Sequence, residues 1–163
     1  MSSLLKSDCF EMKNEKHTVL TLERFLPYRL SILSNKVSAI VAESYHDKFA
    51  LSVTDWRIMA VLGEYPGLSA DEVSEKTQIE KSMLSRAISK LLQRKLIMRE
   101  FDSSDRRRSI LTLTDTGLSV YDDIVPISYE YEQQLLKCLN KQEQDQLSEL
   151  IDRLYIHADT ILL

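Results

Sequence analysis

Residues 69–113 hold a short helix, a tight turn, a longer helix and two short strands around a charged tip, an order of elements that few folds accommodate. Ser69-Ala70-Asp71-Glu72 has the form of a capping box, in which a hydroxyl and a carboxylate three residues on satisfy each other's free amides. It starts a helix of about two turns that ends near Thr77, and a turn at Gln78 to Glu80 follows. From Lys81 to Arg94, Leu84, Ile88 and Leu91 fall on one helical face, and Ser82, Ser85, Arg86, Ser89 and Gln93 fall on the other. Leu96 to Phe101 and Ser109 to Leu113 read as the strands of a hairpin with the tip Asp102-Ser103-Ser104-Asp105-Arg106-Arg107-Arg108. Such a succession is a winged helix-turn-helix.

Helices flank this module. From Pro27, a residue suited to a first turn, Leu30, Leu33, Val37, Ile40, Val41 and Tyr45 keep helical spacing to about Lys48. Ser52-Val53-Thr54-Asp55 offers N-caps for a helix with the stripe Trp56, Met59, Ala60 and Gly63, stopped by Glu64-Tyr65-Pro66-Gly67. Thr114-Asp115-Thr116-Gly117 opens a helix to about Leu139, expected to be irregular near Pro126, which lacks a backbone donor. The last helix runs from about Lys141 to Leu162. Its positions Leu147, Leu150, Ile151, Leu154, Tyr155, Ala158, Ile161 and Leu162 form a regular apolar stripe that needs a surface to cover it. The expected fold class is therefore mainly α with a small β-hairpin wing. The expected organisation is an N-terminal arm at 1–26, flanking helices at 27–50 and 118–163, and the winged helix-turn-helix module at 51–117.

Charge is segregated along the chain. The total is 21 basic against 25 acidic residues, or −4, yet Lys76 to Arg108 holds ten basic and four acidic residues, or +6, leaving −10 elsewhere. A basic module in an acidic frame fits one face presented to phosphate, although asymmetry alone fits a solvated charged face equally well. The longest apolar run, Ile58 to Leu62, is too short to cross a bilayer, and the N-terminus lacks the apolar stretch of a secretory signal, so the expected location is cytoplasmic. Cys9 and Cys138 have no CxxC spacing and His17, His46 and His157 are isolated, so neither a disulfide framework nor a metal site is expected. There is no G-x-S-x-G, P-loop, dinucleotide glycine fingerprint or HExxH, which argues against an enzyme, and no cofactor is expected.

Leu68 to Ile79, Lys81 to Ile97 and, most specifically, Asp105-Arg106-Arg107 followed by Leu111-Thr112-Leu113-Thr114-Asp115-Thr116-Gly117 resemble the MarR family of bacterial regulators, over about residues 27–162. The resemblance implies a homodimer held by the first and last helices, with two winged-helix lobes on a palindromic double-stranded operator. By analogy Lys81, Ser82, Met83, Ser85 and Arg86 approach base edges, and Ser89 and Lys90 meet phosphate. Arg107 matches the wing arginine that enters the minor groove and Asp105 the acid that fixes the wing, with Arg106 and Arg108 as supporting cations. One departure stands out. The family commonly has glycine after the recognition helix, where this chain has Lys95.

The resemblance also implies a small effector. The run Pro27 to Ser38 is similar to the branch that controls aromatic-acid catabolism, including hydroxycinnamate-type degradation, which suggests an aromatic carboxylate or a phenol. Arg29 suits the carboxylate, Ser34, Asn35 and Ser38 the phenol oxygens, and Trp56 an aromatic wall; Arg57, His46 and Tyr129 are further candidates. Each has an ordinary structural reading as a surface ion pair or core side chain. Two alternatives remain open: a redox regulator acting through Cys9 or Cys138, and a winged helix whose basic face docks an acidic protein.

Overall fold

The computed structural model describes residues 18–101 and 109–161. Six helices and one hairpin follow in the order α1 (Leu26–Phe49), α2 (Val53–Glu64), α3 (Ala70–Thr77), α4 (Lys81–Gln93), β1 (Ile97–Phe101), β2 (Ser109–Leu113), α5 (Asp115–Leu136) and α6 (Lys141–Ile161). The chain divides into two units, Met1–Lys36 and Val37–Leu163. The described part of the first unit is a turn over residues 21–25 and the beginning of α1, with its side chains exposed.

In the second unit the boundaries are set by local caps. Ser52 and Asp55 close one capping box at the start of α2, and Ser69 and Glu72 close another at the start of α3. The Thr114 hydroxyl accepts the Gly117 amide to start α5. Asn140 and Glu143 exchange bonds of 2.7 and 3.0 Å ahead of α6. Helix α5 ends at Leu136, before the expected Leu139, and the Gln144 side-chain amide donates to the Leu136 and Leu139 carbonyls at 3.1 and 3.0 Å across the junction with α6. Pro126 does not break α5, which stays helical through it although Pro126 offers no amide to the turn before it.

The core is formed where α2, α3, α4, the hairpin and α5 meet, from Ile58, Met59, Leu62, Val73, Leu84, Ile88, Leu91, Ile97, Leu111 and Ile124, together with Tyr45 and Leu51. The buried side of α2 is Asp55, Ile58, Met59 and Leu62, which corrects the expected stripe of Trp56, Met59, Ala60 and Gly63. The remainder of that stripe is half-buried, because neighbours pack on α2 from more than one side. Gly63 lets Tyr121 lie against α2, since a Cβ there would sit 2.3 Å from the ring.

The hairpin is antiparallel, with Ile97 opposite Leu113 and Phe101 opposite Ser109. Leu68 joins as a single bridge to Leu111, with Leu111 N–H donating to Leu68 at 2.8 Å and Gly67 N–H donating back at 3.1 Å. Helix α4 ends in a Schellman turn. Leu96 N–H bonds to Leu91 and Lys95 N–H to Leu92, both at 3.0 Å, with Lys95 in the left-handed region at φ +57°.

Helix α6 buries none of its residues. Leu147, Leu150, Ile151, Leu154, Tyr155 and Ile161 of the expected stripe stand exposed, and Leu162 lies outside the described residues. Helix α1 buries only Tyr45.

Candidate nucleic-acid interface

Helix α4 turns Leu84, Ala87, Ile88 and Leu91 into the core, so the intervening positions must face solvent. Lys81, Ser82, Met83, Ser85, Arg86, Ser89 and Lys90 are all exposed. One helical face therefore carries hydroxyls, cations and one thioether, a donor-rich set of the kind that reads base edges and phosphates. The opposite face, by being apolar, fixes the rotation of the helix that displays them.

Several of these groups have partners. Lys81 lies 3.5 Å from Asp71, an exposed pair worth little. Arg86 lies back along the helix on Ser82, and the Ser89 hydroxyl donates to the Ser85 carbonyl at 2.9 Å. Lys90 donates to Asp55 Oδ2 at 2.6 Å. Asp55 is the buried charged residue among those described, and its Oδ2 also accepts the Ser52 amide at 2.8 Å. Burial pushes the Asp55 carboxyl up, but the bond from Lys90 and those with Ser52 outweigh it and hold the group below the usual range. Lys90 thus ties α4 to the start of α2, a role its place in the sequence did not reveal.

Charge in this segment is also spent elsewhere. Arg94 donates to the carbonyls of Ala50 and Phe49 at 3.0 and 2.5 Å, satisfying the end of α1. Lys76 sits 3.9 Å above the Tyr65 ring. Sequence reasoning missed Glu80, whose carboxylate accepts the Ser82 and Met83 amides and caps α4. A carboxylate immediately before the first turn was the available signal. Asp105, Arg106, Arg107 and Arg108 lie outside the described residues, as does Cys9.

The effector candidates fall in both units. Arg29, Ser34 and Asn35 are exposed on the part of α1 that belongs to the first. In the second, Ser38 accepts a 3.1 Å bond from Arg57. Trp56 is half-buried between Tyr45 and Tyr121, with ring centroids 5.8 Å apart on each side. Burial pushes the Tyr45 hydroxyl up to about 12. His46 lies 3.2 Å from Asp47, Tyr129 is exposed, and Cys138 is an exposed thiol. Among the described residues, no three His, Cys, Asp or Glu side chains are grouped to hold a metal ion, and no helix is long and apolar enough to cross a membrane.

A family model described as the MarR family matches residues 51–108, the span that builds α2, α3, α4 and the hairpin. Over this span the chain is similar to the MarR family of transcriptional regulators. It is 30% identical to the HTH-type transcriptional regulator BilQ of Clostridium symbiosum over 57% of its own length and 65% of that protein's. A MarR/EmrR family regulator from Acinetobacter superposes with a TM-score of 0.79 at 29% identity, covering 86% of this chain and all but a hundredth (99%) of the other. Bordetella bronchiseptica BpsR, whose DNA binding is regulated by 6-hydroxynicotinic acid, shares the fold at a TM-score of 0.69 and 22% identity, over 80% of this chain and 98% of its own. MarR regulators bind DNA, are typically dimers and are not enzymes.

Proposed function

We propose that this protein is a MarR-type repressor that binds a palindromic operator as a homodimer and is released by a small aromatic acid or phenol. The observation that carries the DNA half is the exposed face of α4, with Lys81, Ser82, Ser85, Arg86 and Ser89 outward and an apolar face locking the helix against the core. The unburied apolar stripe of α6 supports the dimer. The regulation of BpsR by 6-hydroxynicotinic acid, a hydroxylated aromatic carboxylate, supports the effector class. In this reading the wing residues Asp105, Arg106, Arg107 and Arg108 add minor-groove and phosphate contacts, and Arg29, Ser34, Asn35, Ser38 and Trp56 are the effector candidates. The module at 51–117 carries the DNA contacts, and the helices at 27–50 and 118–163 the dimer. Recognition helices on successive major grooves stand about 34 Å apart, so an effector favouring another spacing releases the operator.

A fluorescence-anisotropy titration on the DNA upstream of the protein's own gene, against a scrambled fragment at two salt concentrations, tests the reading. Tight, salt-sensitive binding with preference for the native fragment is expected. Equal and weak binding to both would overturn it and favour docking of an acidic protein. With binding in hand, hydroxybenzoates and hydroxycinnamates are titrated for release.

A further inference from the structure

The first turn of α4 carries a chain of hydrogen bonds that runs from Glu80 through Ser82 to Arg86. Glu80 accepts the Ser82 amide at 3.0 Å and the Met83 amide at 3.1 Å, and the Ser82 hydroxyl bonds to the same carboxylate. A carboxylate has no proton to give, so in that last contact the hydroxyl is the donor. Glu80 is held as the anion, because the bonds from Ser82 and Met83 keep its carboxyl below the usual range. From the other side, Arg86 Nη2 donates to Ser82 Oγ at 3.3 Å and Nε donates to the Ser82 carbonyl at 3.2 Å. The hydroxyl thus has its proton committed to Glu80 and one lone pair committed to Arg86. What it still offers is an acceptor, next to the guanidinium N–H donors that bond to none of the described residues.

We propose that Glu80 sets the base preference of α4: by taking the Ser82 proton it makes Ser82 an acceptor, so that Ser82 and Arg86 together read a guanine beside adenine or cytosine. The inference rests on α4 lying in the major groove. There, guanine offers two acceptors to an arginine fork, and adenine and cytosine offer an exocyclic amine to an acceptor, whereas guanine and thymine show no donor. A serine without Glu80 would rotate its hydroxyl to suit either kind of edge and lose the distinction. Glu80 is a positioning residue. Its carboxylate also occupies the amides at the helix N-terminus, where a phosphate would otherwise be welcome.

The test is selection from a randomised duplex library by the full-length protein and its variants E80A, E80Q and S82A, with circular dichroism to verify helix content. For the parent protein each selected half-site contains a guanine with a neighbour at which adenine or cytosine exceeds guanine and thymine by about fivefold, the weight of one hydrogen bond. That ratio falls to within about twofold of unity in E80A and S82A, and persists in E80Q, whose amide oxygen still accepts the hydroxyl proton. An E80A motif identical to the parent's, or a uniform loss of affinity with the base ratio intact, overturns the proposal. So does a parent motif without such a position. A parent protein that selects no motif at all overturns instead the reading of α4 as a recognition helix. Where E80A does not fold, S82A decides, since it leaves the two amide bonds of Glu80 in place.

Discussion

Lys95 holds a left-handed backbone at φ +57° to complete the Schellman turn, a conformation in which a Cβ costs about 1 kcal/mol. K95G is therefore expected to stabilise the protein by about 1 kcal/mol, read as a rise of a few degrees in melting temperature; a fall would show that the lysine side chain contributes more than its backbone costs. Gly117 is constrained in the opposite sense. A Cβ there would stand 1.9 Å from the Leu96 carbonyl oxygen, which also accepts the Thr114 amide at 3.1 Å. Backbone must move to make room, so G117A is expected to lower stability by about 2–3 kcal/mol in urea unfolding. Asp55 gives the pH dependence. Its folded pKa is depressed, so its contribution is full above the unfolded carboxylate range near ~4 and is lost as pH falls through the folded value. Thermal melts between pH 7 and 3 should show this acid loss in the parent protein and a smaller one in D55N, which is also less stable at pH 7 by about 1–3 kcal/mol. Equal pH profiles would remove Asp55 from the account.

At the level of the element, α4 joins two functions that its sequence shows unequally. Its outward face was legible because a 3.6-residue period sorts Leu84, Ile88 and Leu91 from Ser82, Ser85, Arg86 and Ser89 without knowledge of the rest of the chain. The starts of α2, α3 and α5 were legible for the same reason, since Ser52, Ser69 and Thr114 bond to amides three residues away. Lys90 was not, because its partner is 35 residues distant, and neither was Arg94, whose carbonyl partners are 44 and 45 residues away. By family analogy Lys90 is expected to meet phosphate, and Arg94 counts only as one of the ten basic residues. The salt dependence of DNA binding separates these roles. K81A should reduce the slope of log affinity against log salt by about 1, the effect of one lost phosphate contact. K90M should leave the slope unchanged while lowering the melting temperature, because it strands the buried carboxylate of Asp55. A reduced slope in K90M would return Lys90 to the phosphate backbone.

For the whole molecule, the decisive feature is a helix with an apolar stripe and nothing in the described chain to bury it. Leu150, Leu154 and Tyr155 are 51, 49 and 63% exposed, each one helical turn or a single residue from the next, on a helix that carries the pairs Lys141–Asp145 in its first turns and Glu149–Arg153 at its middle. A lone stripe of this kind would be a liability for a monomer, whereas a second copy turns it into a core. The sequence disclosed the stripe but not its exposure, which depends on what α2 to α5 leave uncovered. If α6 builds the dimer, L154E places a charge against an apolar partner surface, and sedimentation equilibrium should show the mass falling from two chains to one at micromolar concentration. Circular dichroism should stay near that of the parent, since Leu154 is exposed and outside the core that the described residues form. DNA affinity should fall with the dimer, because a monomer keeps only one recognition helix and loses the gain from engaging two half-sites at once. A variant that stays dimeric and binds as before would take α6 out of the interface and leave its apolar face to another partner.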